Sequence, residues 1–99
     1  MKIIWRFNLA PGIEERAFFA WLRHNVWASS SKAGCETRAF RLQGGAHAYS
    51  TEATWPSIDA RDRWQGSADF AAIPNYPGLD SPWAAQIDLE RVIANEMSA

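Results

Sequence analysis

The tripeptide Trp55-Pro56-Ser57 forces an extended segment to turn into a helix. Proline fixes φ and has no N–H for a sheet ladder, so a strand ends in front of it. Ser57 then serves as an N-cap, with a hydroxyl that accepts from a free N–H of the first turn. Beyond it Ala60, Trp64, Ser67, Ala68 and Ala71 recur at helical spacing. Every member of that stripe except Trp64 is small. Such a helix does not fill a core evenly. Either a facing element supplies the bulk, or a cleft remains beside the indole. Gly66-Ser67 is expected to break the helix, with Ser67 capping a short second piece.

The other elements follow from periodicity. Residues 2–9 alternate, with Ile3, Trp5, Phe7 and Leu9 on one side and Lys2, Ile4, Arg6 and Asn8 on the other, which marks a strand. Pro11 is placed in the first turn of a helix over residues 13–28, whose Glu14 and Glu15 suit the positive end of its dipole. Ile13, Ala17, Trp21, His24 and Ala28 form its expected inward stripe, flanked by Phe18 and Leu22. The serine run from Ser29 is expected to end it, with Gly34 free to take φ > 0. Residues 35–43 and 46–55 read as two antiparallel strands joined at Gly44-Gly45, a hairpin signal. Residues 74–82 are rich in turn formers, and 83–93 give a last strand with Trp83, Ala85, Ile87 and Leu89 on one face.

The order βαββαβ in 99 residues predicts one domain, residues 1–99, of the α+β class. Its arrangement is ferredoxin-like: a four-stranded antiparallel sheet with two helices on one face. The other face then carries Ile4, Phe40 or Leu42, and Val92 without cover, which predicts a two-fold homodimer. The net charge of −1 gives no general attraction to nucleic acid or an anionic membrane, and neither partner is expected. Cys35 is the only cysteine, which excludes a disulfide framework and points to a buried, inert thiol. No run is long enough to span a membrane, and the N-terminus lacks a signal-peptide pattern, so a cytoplasmic protein is expected.

The segment Trp55-x-Ser57-x-x-Ala60-x-x-x-Trp64-x-x-Ser67-x-x-Phe70 resembles the second-helix region of the dimeric α+β barrel superfamily. It is most similar to the antibiotic-biosynthesis-monooxygenase group, which includes haem-degrading enzymes. Phe18-x-x-Trp21-Leu22 with the later Ala33-Gly34 is similar to first helices of the same superfamily, and the order of elements matches over nearly the whole chain. The resemblance implies that an indole at the place of Trp64 lines a cleft between helices and sheet. In the haem-degrading branch a later histidine ligates iron. Counted on from Trp64, its place falls at Pro74, which has no lone pair to offer, so haem is not expected. That branch also uses an asparagine on the first strand. Its ungapped place is Phe7, and Asn8 is one position on, where a strand side chain turns to the opposite face.

Two functions remain open. The first is a monooxygenase that needs no cofactor and acts on an aromatic or polycyclic molecule, as the resemblance implies. Its substrate, held as an anion, would supply the electrons to oxygen. His24 and Asn8 are then the candidate catalytic groups for the proton or oxyanion, because histidine titrates near neutrality. Trp64, Trp21, Tyr49 and Phe70 are the candidate substrate-binding residues. The second is a non-catalytic dimer that binds a hydrophobic small molecule or serves a stress response. His24 and Trp64 also fit plain packing roles, and no cluster at metal-ligand spacing is present. Asp59, Arg61, Asp62 and Arg63 alternate in sign along the second helix and read as a solvated face.

Overall fold

The computed structural model describes residues 1–73 and 87–94. The loop expected from Pro74, the start of the last strand with Trp83 and Ala85, and the tail lie outside them. β1 (Lys2–Leu9) is central in a sheet of order β2-β3-β1-β4, with β2 at Glu36–Arg41, β3 at Tyr49–Thr54 and β4 at Ile87–Ala94. All three pairings are antiparallel. The period of two in β1 is preserved without a bulge: Ile3 pairs with Ala53 and Ile93, and Phe7 with Tyr49 and Leu89. Ile3 and Phe7 are buried in one cluster with Phe18, Leu22 and Val26 from the first helical segment and Ala60 and Trp64 from the second. Both helical segments therefore pack on the odd-numbered face of β1. Among the described residues no helix is long and apolar enough to cross a membrane.

The first helical segment differs from expectation in its start, its length and its inward face. Pro11 and Gly12 form a β-turn closed by the Ile13 N–H donating to Ala10 O at 3.1 Å, with Gly12 at φ +91°. Proline at the second position and a positive-φ glycine at the third meet that turn's needs better than a helix start does. The helix then runs on past the serines. It comprises α1 (Glu15–Trp21), a π-helical stretch (Leu22–Trp27) and α2 (Ala28–Lys32). Within the π stretch the Ala28 N–H reaches back five residues to Arg23 O. A wider turn takes up more than the roughly 3.6 residues of an α-turn, so side chains four apart stay in line. The inward row is accordingly Phe18, Leu22, Val26 and Ser30, all buried. Ala17, His24 and Ala28, expected inward on a 3.6 period, are exposed.

The end of α2 is a Schellman motif. Cys35 N–H donates to Ser30 O and Gly34 N–H to Ser31 O, at 3.2 and 3.1 Å. Gly34 takes φ +90°, and a Cβ there would stand 3.0 Å from Pro56 Cγ. The turn into β2 thus packs against the proline that ends β3. α3 (Ile58–Gln65) starts as expected, with Ala60 N–H donating to Ser57 Oγ at 3.1 Å. The break at Gly66 is also present, and Ser67 caps the short α4 (Ala68–Ala71). That break turns Ala68 and Ala71 outward, away from the stripe they were assigned.

The β2–β3 connection is longer than a two-residue hairpin. Residues 42–48 loop out, with Gly44 and Gly45 both at positive φ and Leu42 N–H donating to Ala48 O at 2.7 Å. A second fastening joins this region to the first helix. Arg41 binds Glu15 through two bonds, of 2.6 and 2.8 Å. The guanidinium holds the Glu15 carboxyl below its ordinary pKa.

Gly34→Ala is expected to lower stability by about 1–2 kcal/mol from backbone strain alone, and by more because Pro56 must move. Gly44→Ala has a similar φ but open space around it, so it should lose only the strain. Urea unfolding of the two variants beside the wild type checks the order.

Candidate functional site

A cavity of about 100 Å³ lies beside Trp64, between the helical segments and the sheet. Its apolar walls include Phe7 and Phe18 on one side and Trp55 and Trp64 on another. Each pair belongs to a larger set of rings. Phe7 meets Phe18 edge-on at 5.4 Å and stacks on Tyr49 at 5.6 Å. Trp64 lies 5.3 Å from Trp55, and Phe70 stands against it at 4.9 Å and 78°. Rings of this size do not deform, so two such clusters that meet imperfectly leave a gap between them.

Trp64 is both core and wall. It is 6% exposed, and its indole N–H donates to Ser29 Oγ at 2.8 Å. The ring is thereby oriented, and its N–H is engaged by the protein. Trp21, Tyr49 and Phe70 back the walls; none of them lines the cavity. Trp21 packs on Phe18 at 6.1 Å and Tyr49 on Phe7 and Phe19.

The two expected catalytic residues are not brought together. His24 is exposed, because the helix turns Phe18 and Leu22, and not Ala17, to the sheet and His24 lies off that face. Asn8 lies on the even face of β1, and its amide is engaged at the hairpin loop. Its Nδ2 donates to Ala46 O at 2.9 Å, and Ala48 N–H donates to its Oδ1 at 2.8 Å. It fastens a loop that has few bonds of its own. Neither residue lines the cavity.

The polar groups that do line it were not singled out as site residues. Ser30 is 3% exposed, and its hydroxyl makes no hydrogen bond of good geometry, though it lies close enough to the Cys35 thiol to act on it. A buried hydroxyl left in that state costs roughly 1–3 kcal/mol. Cys35 is set beside it by the Schellman motif. Burial pushes the Cys35 thiol up to about 11, against a smaller pull from the nearby Ser30 hydroxyl, so the thiol is protonated at neutral pH and a poor nucleophile. Arg61 also borders the cavity, with a side chain only 16% exposed. The signal for it was in the sequence: position 61 precedes Trp64 by three and shares its helix face.

The described cavity does not fit haem. About 100 Å³ exceeds the roughly 10–15 Å³ that one water requires but does not hold a macrocycle, and no histidine borders it. The expected Pro74 position lies outside the described residues. Among the described residues no three His, Cys, Asp or Glu side chains gather as a metal site.

No family model matches the chain, and no curated protein does. Its fold is that of a solved structure, the crystal structure of HapK from Hahella chejuensis, with a TM-score of 0.68. That similarity spans 100% of this chain and 95% of the other at 13% sequence identity. It is a likeness of fold.

Trp64→Ala is expected to lower stability by about 3 kcal/mol, the lower end for a buried tryptophan, because one side of the ring already borders empty space. Trp64→Phe keeps most of the ring and loses the bond to Ser29, so it should lose about 1 kcal/mol. Equilibrium urea unfolding measures both. A loss well above 4 kcal/mol for alanine would mean that Trp64 is packed on all sides.

Proposed function

We propose that this chain is a small-molecule-binding protein of the dimeric α+β barrel kind. In this reading residues 1–99 form one ferredoxin-like unit similar to the antibiotic-biosynthesis-monooxygenase group, and two copies pack sheet to sheet. Each copy encloses one small planar ligand. The observation that carries the reading is the cavity between the two aromatic clusters, with the unpartnered Ser30 hydroxyl on its wall. Close-packed interiors rarely leave both a void of this size and an unmet hydroxyl at one place. The volume suits about one ring. It falls short of the roughly 300–1,000 Å³ of pockets for larger ligands, so a polycycle is a poor fit.

A second reading, oxygenation without a cofactor, has one observation in its favour. The Ser30 hydroxyl is an available donor at the wall of a water-poor cavity, where it would stabilise an oxyanion on a bound substrate. With His24 and Asn8 directed elsewhere, no histidine among the described residues is placed to take a proton there.

The proposed dimer rests on the even face of the sheet. Ile4 pairs with Val92 there, and Phe40 is 41% exposed on the same side through its pairing with Ser50. Lys2 and Glu52 form an ion pair of 3.6 Å on that face, and the register adds Arg6 and Arg38, so the face is half-apolar with charges set among its apolar residues.

Catechol or indole at millimolar concentration is expected to raise the melting temperature, at about 4–8 °C per kcal/mol of binding for a domain of this size. An unchanged Tm across a panel of single-ring compounds would overturn the binding reading. Oxygen uptake with a hydroquinone or anthrone then separates enzyme from binder. Light scattering at micromolar concentration is expected to give a dimer, and Phe40→Asp a monomer. A wild-type protein that stays monomeric would remove the dimer.

A further inference from the structure

We infer that the cavity's ligand is an aromatic carboxylate, with its charge held by Arg61. The inference rests on the proposed ligand site and names the chemistry of its occupant. The Arg61 guanidinium carries five N–H donors and is always charged. Its side chain is half-buried, and among the described residues its ionic contact is weak: Nη1 lies 3.6 Å from Asp62 Oδ1, beyond hydrogen-bond range. Asp62 is the next residue on the same helix, and such neighbours do not face each other. Its side chain is also 62% exposed, so it cannot follow the guanidinium inward.

Glu52 is the carboxylate that also borders the cavity, and it is directed elsewhere. By register it belongs to the opposite face of β3, where its Oε2 lies 3.6 Å from Lys2 Nζ. Arg61 is thus a half-buried cation with no hydrogen-bonded carboxylate among the described residues, at the edge of a space lined by Phe7, Phe18, Trp55 and Trp64. A cation at the rim of an apolar space is stabilised by an anion that pairs and hydrogen-bonds with it. A carboxylate meets the planar guanidinium with two parallel bonds, and a flat ring behind it fits the apolar walls. Ser30, the unmet hydroxyl in the lining, would bond a polar atom on that ring or the second face of the carboxylate. Phosphate, with three charged oxygens, would need further cations, and Arg61 is the one cationic side chain among the described lining residues.

The experiment compares benzoate with its uncharged isostere benzamide, by titration followed in two-dimensional NMR with the indole N–H signals of Trp55 and Trp64 as local reporters. In the wild type benzoate is expected to bind at least tenfold more tightly than benzamide and to shift both indole signals. Arg61→Gln should abolish that preference by lowering benzoate affinity to that of benzamide. Arg61→Lys, which keeps the charge without the fork, should retain part of it. Equal binding of the two probes in the wild type, or a benzoate preference that survives Arg61→Gln, overturns the carboxylate inference and leaves the ligand site standing. If neither probe shifts the indole signals at millimolar concentration, both fall together.

Discussion

Phe7 joins the parts of this fold. It lies on the central strand, between β3 and β4, and its ring meets Phe18 and Phe19 of α1 and Tyr49 of β3. A buried aromatic side chain removes a large apolar area from water, and four rings in contact add specific edge and stacking geometry. The contacts therefore set where α1 sits on the sheet. They also leave α1 little freedom to slide, because each ring is held by more than one neighbour.

From that anchor, the π-helical stretch determines what faces inward further along. If the segment stayed α-helical from Phe18 to Ser30, its inward row would drift around the axis by roughly a third of a turn. The π stretch removes that drift. Val26 then reaches the core and Ser30 the cavity. Its wider turn has its own support, since Asn25 Nδ2 donates to Trp21 O at 3.0 Å. The position of a buried hydroxyl beside the cavity is thus a consequence of a local helical irregularity that begins about one turn beyond Phe18.

At the other end the Trp55, Trp64 and Phe70 rings form a second rigid group. Trp64 is fixed on two sides, by the bond to Ser29 and by the edge of Phe70. Between the two groups the backbone spacing is set by the sheet and helices, and the rings cannot expand into the gap. The void is therefore a product of geometry that neither cluster can relax alone. Its polarity is uneven, with apolar faces and a few groups, Ser30, Cys35 and Arg61, whose pairing within the chain is incomplete or weak.

The sequence by itself determined the elements and their order. Proline and serine chemistry at 56 and 57, the break at Gly66, and the period of two in β1 are local properties, and local physics expresses them in the same way in any surroundings. The placing of Ile4 and Val92 on one face was legible for the same reason: register fixes facing once a strand is identified. What only the tertiary structure decided was rotation and engagement. His24 faces outward because packing turns Phe18 and Leu22 to the sheet, and a residue six positions beyond Phe18 lies well off that face whether or not the helix widens. Asn8 was legible as a polar residue at a strand end, but its bonds go to a loop some forty positions away. Arg61 belongs to a helix face that alternating charge marked as solvated. That it shares the face of Trp64 is visible in the spacing, but that this face borders a cavity depends on what packs opposite, which a single chain's periodicity does not contain.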